Sequence, residues 1–145
     1  MLTRQDWLLL ALSKSPGGAM SPVQIQKAMF LFGQEAVDAV GTNFYSFQPY
    51  DYGPFDAAIY ADLRRMTSLG HVRGEWNPDR SWKTWTITEP GRNAALALES
   101  DADARLADYL GRVVKWVRRK SFPELLRSVY AAYPEFAVNS VFRGP

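Results

Sequence analysis

The sequence predicts a mainly α-helical fold carrying one small β-hairpin, and three observations predict it. Capping signals followed by apolar residues at helical spacing recur along most of the 145-residue chain. Within residues 71–88, two runs rich in Val, Thr, Trp and Ile flank Asn77-Pro78-Asp79-Arg80-Ser81, which has turn chemistry. No internal repeat, low-complexity tract or linker divides the chain, and a hydrophobic fraction of 47% is enough for one interior.

Thr3 opens the first helix, with Asp6 in capping position and Trp7, Leu8, Ala11 and Leu12 on its apolar side. Ser15-Pro16-Gly17-Gly18 ends it. Ser21 caps the second helix, with Pro22 at its first position and Gln24 closing a capping box. Ile25, Ala28, Met29, Phe32 and Ala36 form its buried face, and Gly41 marks its end. Phe44-Tyr45-Ser46-Phe47 alternates as a short extended segment. Tyr52-Gly53-Pro54 is expected to start the third helix, with Phe55, Ile59, Leu63 and Met66 inward and Gly70 as its left-handed stop.

The hairpin strands follow over residues 71–76 and 82–88, and their register stays open. A four-residue turn puts Val72, Trp85 and Ile87 on one face; a five-residue turn opposes Trp76 and Trp82. Thr88 caps a helix running to residue 99, and residues 100–103 interrupt it. Another helix spans residues 104–120, with Leu106, Leu110, Val113 and Val117 as its seam. Ser121 and Glu124 form a further capping box, Leu125, Leu126, Val129, Tyr130 and Tyr133 line the last helix, and Pro134 stops it.

Helix, helix, helix, two-stranded hairpin, helix is the order of a winged helix-turn-helix. The expectation is one domain over residues 1–145, with a core over about residues 3–99 and additional C-terminal helices over about 104–133 packed across it. Leu69-Gly70, Val72, Asp79-Arg80 and Thr88-Glu89-Pro90-Gly91-Arg92 resemble the recognition-helix end, wing and following helix of MarR-like and PadR-like regulators. Gln26-Lys27, Tyr52-Gly53-Pro54 and Tyr133-Pro134-Glu135 resemble motifs of the SocA-like or Panacea antitoxin domain and related uncharacterised bacterial proteins. Before Tyr-Gly-Pro, where those relatives carry Trp-Lys, this chain has Pro49-Tyr50-Asp51. The resemblance implies a bacterial or phage-associated antitoxin, adaptor or regulator.

Composition narrows the chemistry. With no cysteine and a single histidine, His71, a zinc site of the usual kind cannot be assembled, and imidazole-based nucleophilic catalysis has one candidate base. Asp51, Asp56 and Asp62 are available carboxylates, but Asp56 also reads as a favourable charge in a first helical turn. The expectation is therefore no enzyme, no cofactor and no metal. No apolar stretch approaches the roughly 20 residues of a membrane span, and no signal peptide is expected, since Asp6 follows Arg4, the apolar run from Trp7 to Leu12 is short and no cleavage site follows. Together with the lack of cysteine, this predicts a cytoplasmic protein without a membrane partner.

Net charge is only +2, so any nucleic-acid argument rests on where the charges sit. The DNA candidates are Arg64 and Arg65 on the third helix, Arg73, Arg80 and Lys83 on the wing, and Arg112, Lys115 and Arg119 on a later helix. The last three share one helical face with Arg105, a pattern that also reads as a solvated surface. Against base readout, the start of the third helix carries Asp51, Asp56 and small alanines, and carboxylates oppose phosphates. Its outer side, Ala57, Tyr60 and Ala61, suits protein contact. Tyr52, Tyr60, Trp76 and Trp82 are the partner-binding candidates. The leading expectation is a non-enzymatic bacterial regulator of DNA-binding or antitoxin type. Its alternative is an antitoxin or adaptor module that grips a protein, such as a toxin or protease, without DNA. A homodimer through the later helices is compatible with either.

Overall fold

The computed structural model describes residues 2–79 and 81–142, with Thr42 described by its backbone alone. Helix α1 (Arg4–Lys14) starts where its residues direct: Thr3 Oγ1 accepts the Asp6 N–H, and the Asp6 carboxylate accepts the Thr3 N–H. The same reciprocal pair starts α2 (Pro22–Glu35) at Ser21 and Gln24. Between them a 3₁₀ turn (Pro16–Gly18) leads into the two-residue strand β1 (Ala19–Met20).

These two helices are the axis of the core. Every residue from Trp7 to Leu12 is buried, as is every residue from Ile25 to Phe30, Gln26 and Lys27 included. One apolar side is therefore too narrow an expectation for α1, because Leu9 and Leu10 are buried as well. A helix buried all round has neighbours on every side.

After α2, a single-turn helix α3 (Val37–Val40) ends at Gly41. Strands β2 (Gln48–Tyr50) and β3 (Gly53–Phe55) then pair antiparallel, with Tyr50 opposite Gly53. Helix α4 spans Ala58–Ser68, so Tyr52-Gly53-Pro54 does not start it. Gly53 has φ +94°, the left-handed backbone that closes a tight turn and that a right-handed helix cannot contain. The helix begins only after Asp56, whose Oδ1 accepts the Ala58 N–H at 2.9 Å while Oδ2 accepts the Ser46 N–H at 2.7 Å. Ile59, Leu63 and Met66 face inward as expected, and Gly70, φ +79°, stops the helix.

Strands β4 (Val72–Trp76) and β5 (Lys83–Ile87) form the hairpin, with Trp76 opposite Lys83 and Val72 opposite Ile87. The Asn77 N–H donates to the Trp82 carbonyl at 3.3 Å, which is the register of the four-residue turn. Val72, Trp85 and Ile87 accordingly share a buried face. β1 joins the other edge of β5, giving the order β1-β5-β4, a third strand too short to be read from its two residues.

Thr88 caps α5 (Glu89–Asp101), Asp103 caps α6 (Ala104–Arg119), and a Ser121–Glu124 capping box starts α7 (Phe122–Ala132). α5 and α6 pack on α1, and α6 also packs on α2. Leu110, Val113, Val114, Val117, Leu125 and Val129 belong to the same buried cluster as Leu8, Met29 and Ile59, so the C-terminal helices share the core with the rest. The observed fold is mainly helical with a small antiparallel sheet. No helix among the described residues is long and apolar enough to cross a membrane.

Candidate functional site

α2 carries two polar side chains where its surroundings are apolar. Gln26 and Lys27 are each 2% exposed. The Gln26 amide bonds both ways to the Asp56 backbone: Nε2 donates to the Asp56 carbonyl and Oε1 accepts the Asp56 N–H, both at 3.0 Å. Lys27 Nζ donates to the Pro54 carbonyl at 3.1 Å. The pair thus grips the segment after the β2–β3 turn through its backbone, which side-chain identity on that segment does not reveal. Burial lowers the Lys27 amine to a pKa of about 7. Gly53 is favoured here by its φ, and a Cβ on it would also make a tight 3.0 Å approach to the Tyr130 ring.

This clamp forms the floor of a groove of about 970 Å³, bounded by the start of α2, the β2–β3 hairpin, the β4–β5 hairpin and the corner between α6 and α7. Tyr50, Tyr52, Phe55, Tyr60, Trp82 and Phe122 supply its aromatic lining. Tyr50 stacks on Phe55 at 4.7 Å, Phe55 meets Tyr60 at 5.8 Å, and Tyr52 stands edge-on to Phe122 at 5.4 Å. Burial raises the pKa of the Tyr60 hydroxyl. The charges on the groove are mixed: Lys27, Arg118 and Lys120 against Asp51 and Asp79. Arg118 is committed to Ser15 Oγ and the Pro16 carbonyl, and Lys120 lies over the Trp116 ring.

Three of the four partner-binding candidates, Tyr52, Tyr60 and Trp82, therefore meet in one concavity. Trp76 does not; it is 66% exposed, with Lys83 Nζ over its ring.

Among the described DNA candidates, none lines the groove, and those on the β4–β5 hairpin do not converge elsewhere. In the observed register Arg73 shares a strand face with Glu75, Thr84 and Thr86, whereas Lys83 shares the opposite face with Trp76 and Trp85. Arg73 is moreover paired with Glu75 at 2.7 Å, and Lys83 sits against the Trp76 and Trp85 rings. Arg64 and Arg65 are exposed near the end of α4. Arg112, Lys115 and Arg119 are exposed along α6, with Arg112 held by Asp108 at 3.3 Å. Arg80 lies outside the described residues.

Asp62, a carboxylate weighed for chemistry, is a buried structural tie. It accepts from Arg4 Nε at 3.0 Å, Gln5 Nε2 at 3.2 Å and the Tyr45 hydroxyl at 2.6 Å, joining α1 to α4. Burial and then the Asp62 hydrogen bond push the Tyr45 hydroxyl well above its ordinary pKa. Among the described residues, no three His, Asp or Glu side chains gather closely enough to hold a metal ion.

Gln26 and Lys27 stand in the sequence as a motif of the SocA-like resemblance, but charge and aromatic patterning did not mark them as site residues. The usable signal was their position, side by side within an otherwise apolar helical run. Neither a family model nor a curated protein matches the chain, so its function is argued from this geometry.

Proposed function

We propose that the chain is a non-enzymatic regulator of antitoxin or adaptor type that seats a segment of a protein partner in this groove. The observation that carries the reading is the meeting of Tyr52, Tyr60 and Trp82, from three separate parts of the chain, around one concavity. Tyrosine and tryptophan bring large contact area at small conformational cost, which makes them frequent anchors of protein recognition. Asp51 and Asp79 on the rim oppose a polyanion and tolerate a peptide.

A winged-helix frame goes with this reading, since β1 lies beside β5 and the hairpin follows α4. The β2–β3 hairpin is then an insertion ahead of α4, and Asp56 occupies the helix start that a base-reading helix would offer to DNA. The resemblance to SocA-like antitoxin domains points the same way, because Gln26-Lys27 and Tyr52-Gly53-Pro54 build the groove floor. That resemblance implies a bacterial setting, and the lack of cysteine goes with a cytoplasmic one.

The test is selection from a phage-displayed peptide library on the immobilised chain. Enriched peptides should lose binding to Tyr60→Asp and keep binding to Arg64→Ala. Failure to enrich any peptide, or binding indifferent to Tyr60→Asp, would sink the proposal. A second reading places Arg105, Arg112, Lys115 and Arg119 along duplex DNA, favoured by their exposure on one face of α6. Fluorescence anisotropy at low salt decides it: binding weakened by Lys115→Ala and Arg119→Ala supports it, and no binding removes it.

A further inference from the structure

Lys27 sits on the groove floor with an amine whose charge, when it is protonated, the fold does not balance. Its ammonium has three donors, yet among the described residues its one hydrogen bond goes to the Pro54 carbonyl. No carboxylate of the described residues forms an ion pair with it. Asp51 and Asp79 line the same groove but are exposed to water. A buried cation without a counter-charge is costly, and ordinarily a carboxylate accompanies it. Gly53 lies beside the lysine stem, where a Cβ would be in ordinary contact with Lys27 Cε at 3.5 Å. Arg118 and Lys120 add positive charge to the groove, but both are already engaged elsewhere.

Resting on the groove reading above, we propose that the bound segment presents an acidic side chain flanked by aromatic residues, and that its carboxylate pairs with Lys27 Nζ. The carboxylate supplies the counter-charge missing from the groove floor. Its aromatic neighbours pack against Tyr52, Tyr60 and Trp82.

The experiment titrates the full chain with three N-acetylated tripeptides, followed by NMR of the groove residues. They are Trp-Glu-Phe amide, Trp-Gln-Phe amide and Trp-Gln-Phe free acid. The Glu amide is expected to bind about tenfold tighter than the Gln amide, the effect of one charge-assisted hydrogen bond, and to shift the Lys27 ε-methylene signal. Lys27→Met, which keeps the stem, should abolish that preference while still binding the Gln amide. Tightest binding by the free acid would mean a chain terminus is recognised and would overturn the acidic side chain. Equal binding of the two amides would overturn the role of Lys27 and leave the groove reading standing. If no peptide shifts the Tyr52, Tyr60 or Trp82 signals, both fall.

Discussion

Replacing Lys27 by Met should make the protein more stable at neutral pH and remove a pH dependence. Lys27 is 2% exposed, its amine donates to the Pro54 carbonyl, and burial lowers its pKa from 10.5 to about 7. A lysine that holds its proton less firmly when folded opposes folding. The unfolded chain binds more protons between about pH 7 and 10.5, so stability rises with pH across that window. The penalty is fully present below pH 7 and gone above 10.5. Each pH unit is worth about 1.4 kcal/mol, which bounds the whole gain at on the order of 5 kcal/mol. The variant loses the bond to the Pro54 carbonyl, a loss of about 1–3 kcal/mol. The net effect at pH 7 is a stabilisation of about 1–3 kcal/mol. Urea unfolding followed by tryptophan fluorescence, with both proteins measured from pH 6 to 10, isolates the effect because other titrating groups cancel in the difference. The advantage of the variant should shrink by at least about 2 kcal/mol toward pH 10. A difference that stays constant with pH would refute the desolvated amine.

Gln26→Ala removes both hydrogen bonds to the Asp56 backbone and should cost about 2–3 kcal/mol, with faster amide exchange at Asp56 read by hydrogen–deuterium exchange. Asp62→Ala leaves Arg4, Gln5 and the Tyr45 hydroxyl without their shared acceptor and should cost about 3 kcal/mol in chemical denaturation. In a double-mutant cycle with Tyr45→Phe the two losses should fall short of additive. Gly91→Ala would set a Cβ 2.0 Å from the His71 carbonyl oxygen, so a loss of about 2–3 kcal/mol is expected in thermal melts. A melt unchanged in that variant would show that the α5 start is not packed against the hairpin as described.

Local chemistry was legible wherever one segment decides its own conformation. Thr3 with Asp6, Ser21 with Gln24 and Ser121 with Glu124 each place their helix start, because a cap satisfies donors within three residues. Gly70 stops α4 for an equally local reason. Tyr52-Gly53-Pro54 misled because proline after a glycine suits both a first helical turn and the strand after a tight turn. Asp56, a good capping residue two positions before Ala58, was the signal that separated them.

From the sequence alone came most helical segments and caps, and the β4–β5 hairpin with its aromatic and basic residues. Tertiary structure alone decided which of those residues meet. Gln26 and Lys27 bond to a backbone 27 to 30 positions away, and Asp62 to side chains up to 58 positions away. Backbone carbonyls carry no mark of identity, and a separation of that length leaves no periodicity in the chain. The same holds for the β4–β5 hairpin: only the strand register puts Arg73 and Lys83 on opposite faces, and only the tertiary fold sets Trp82 around the same groove as Tyr52 and Tyr60.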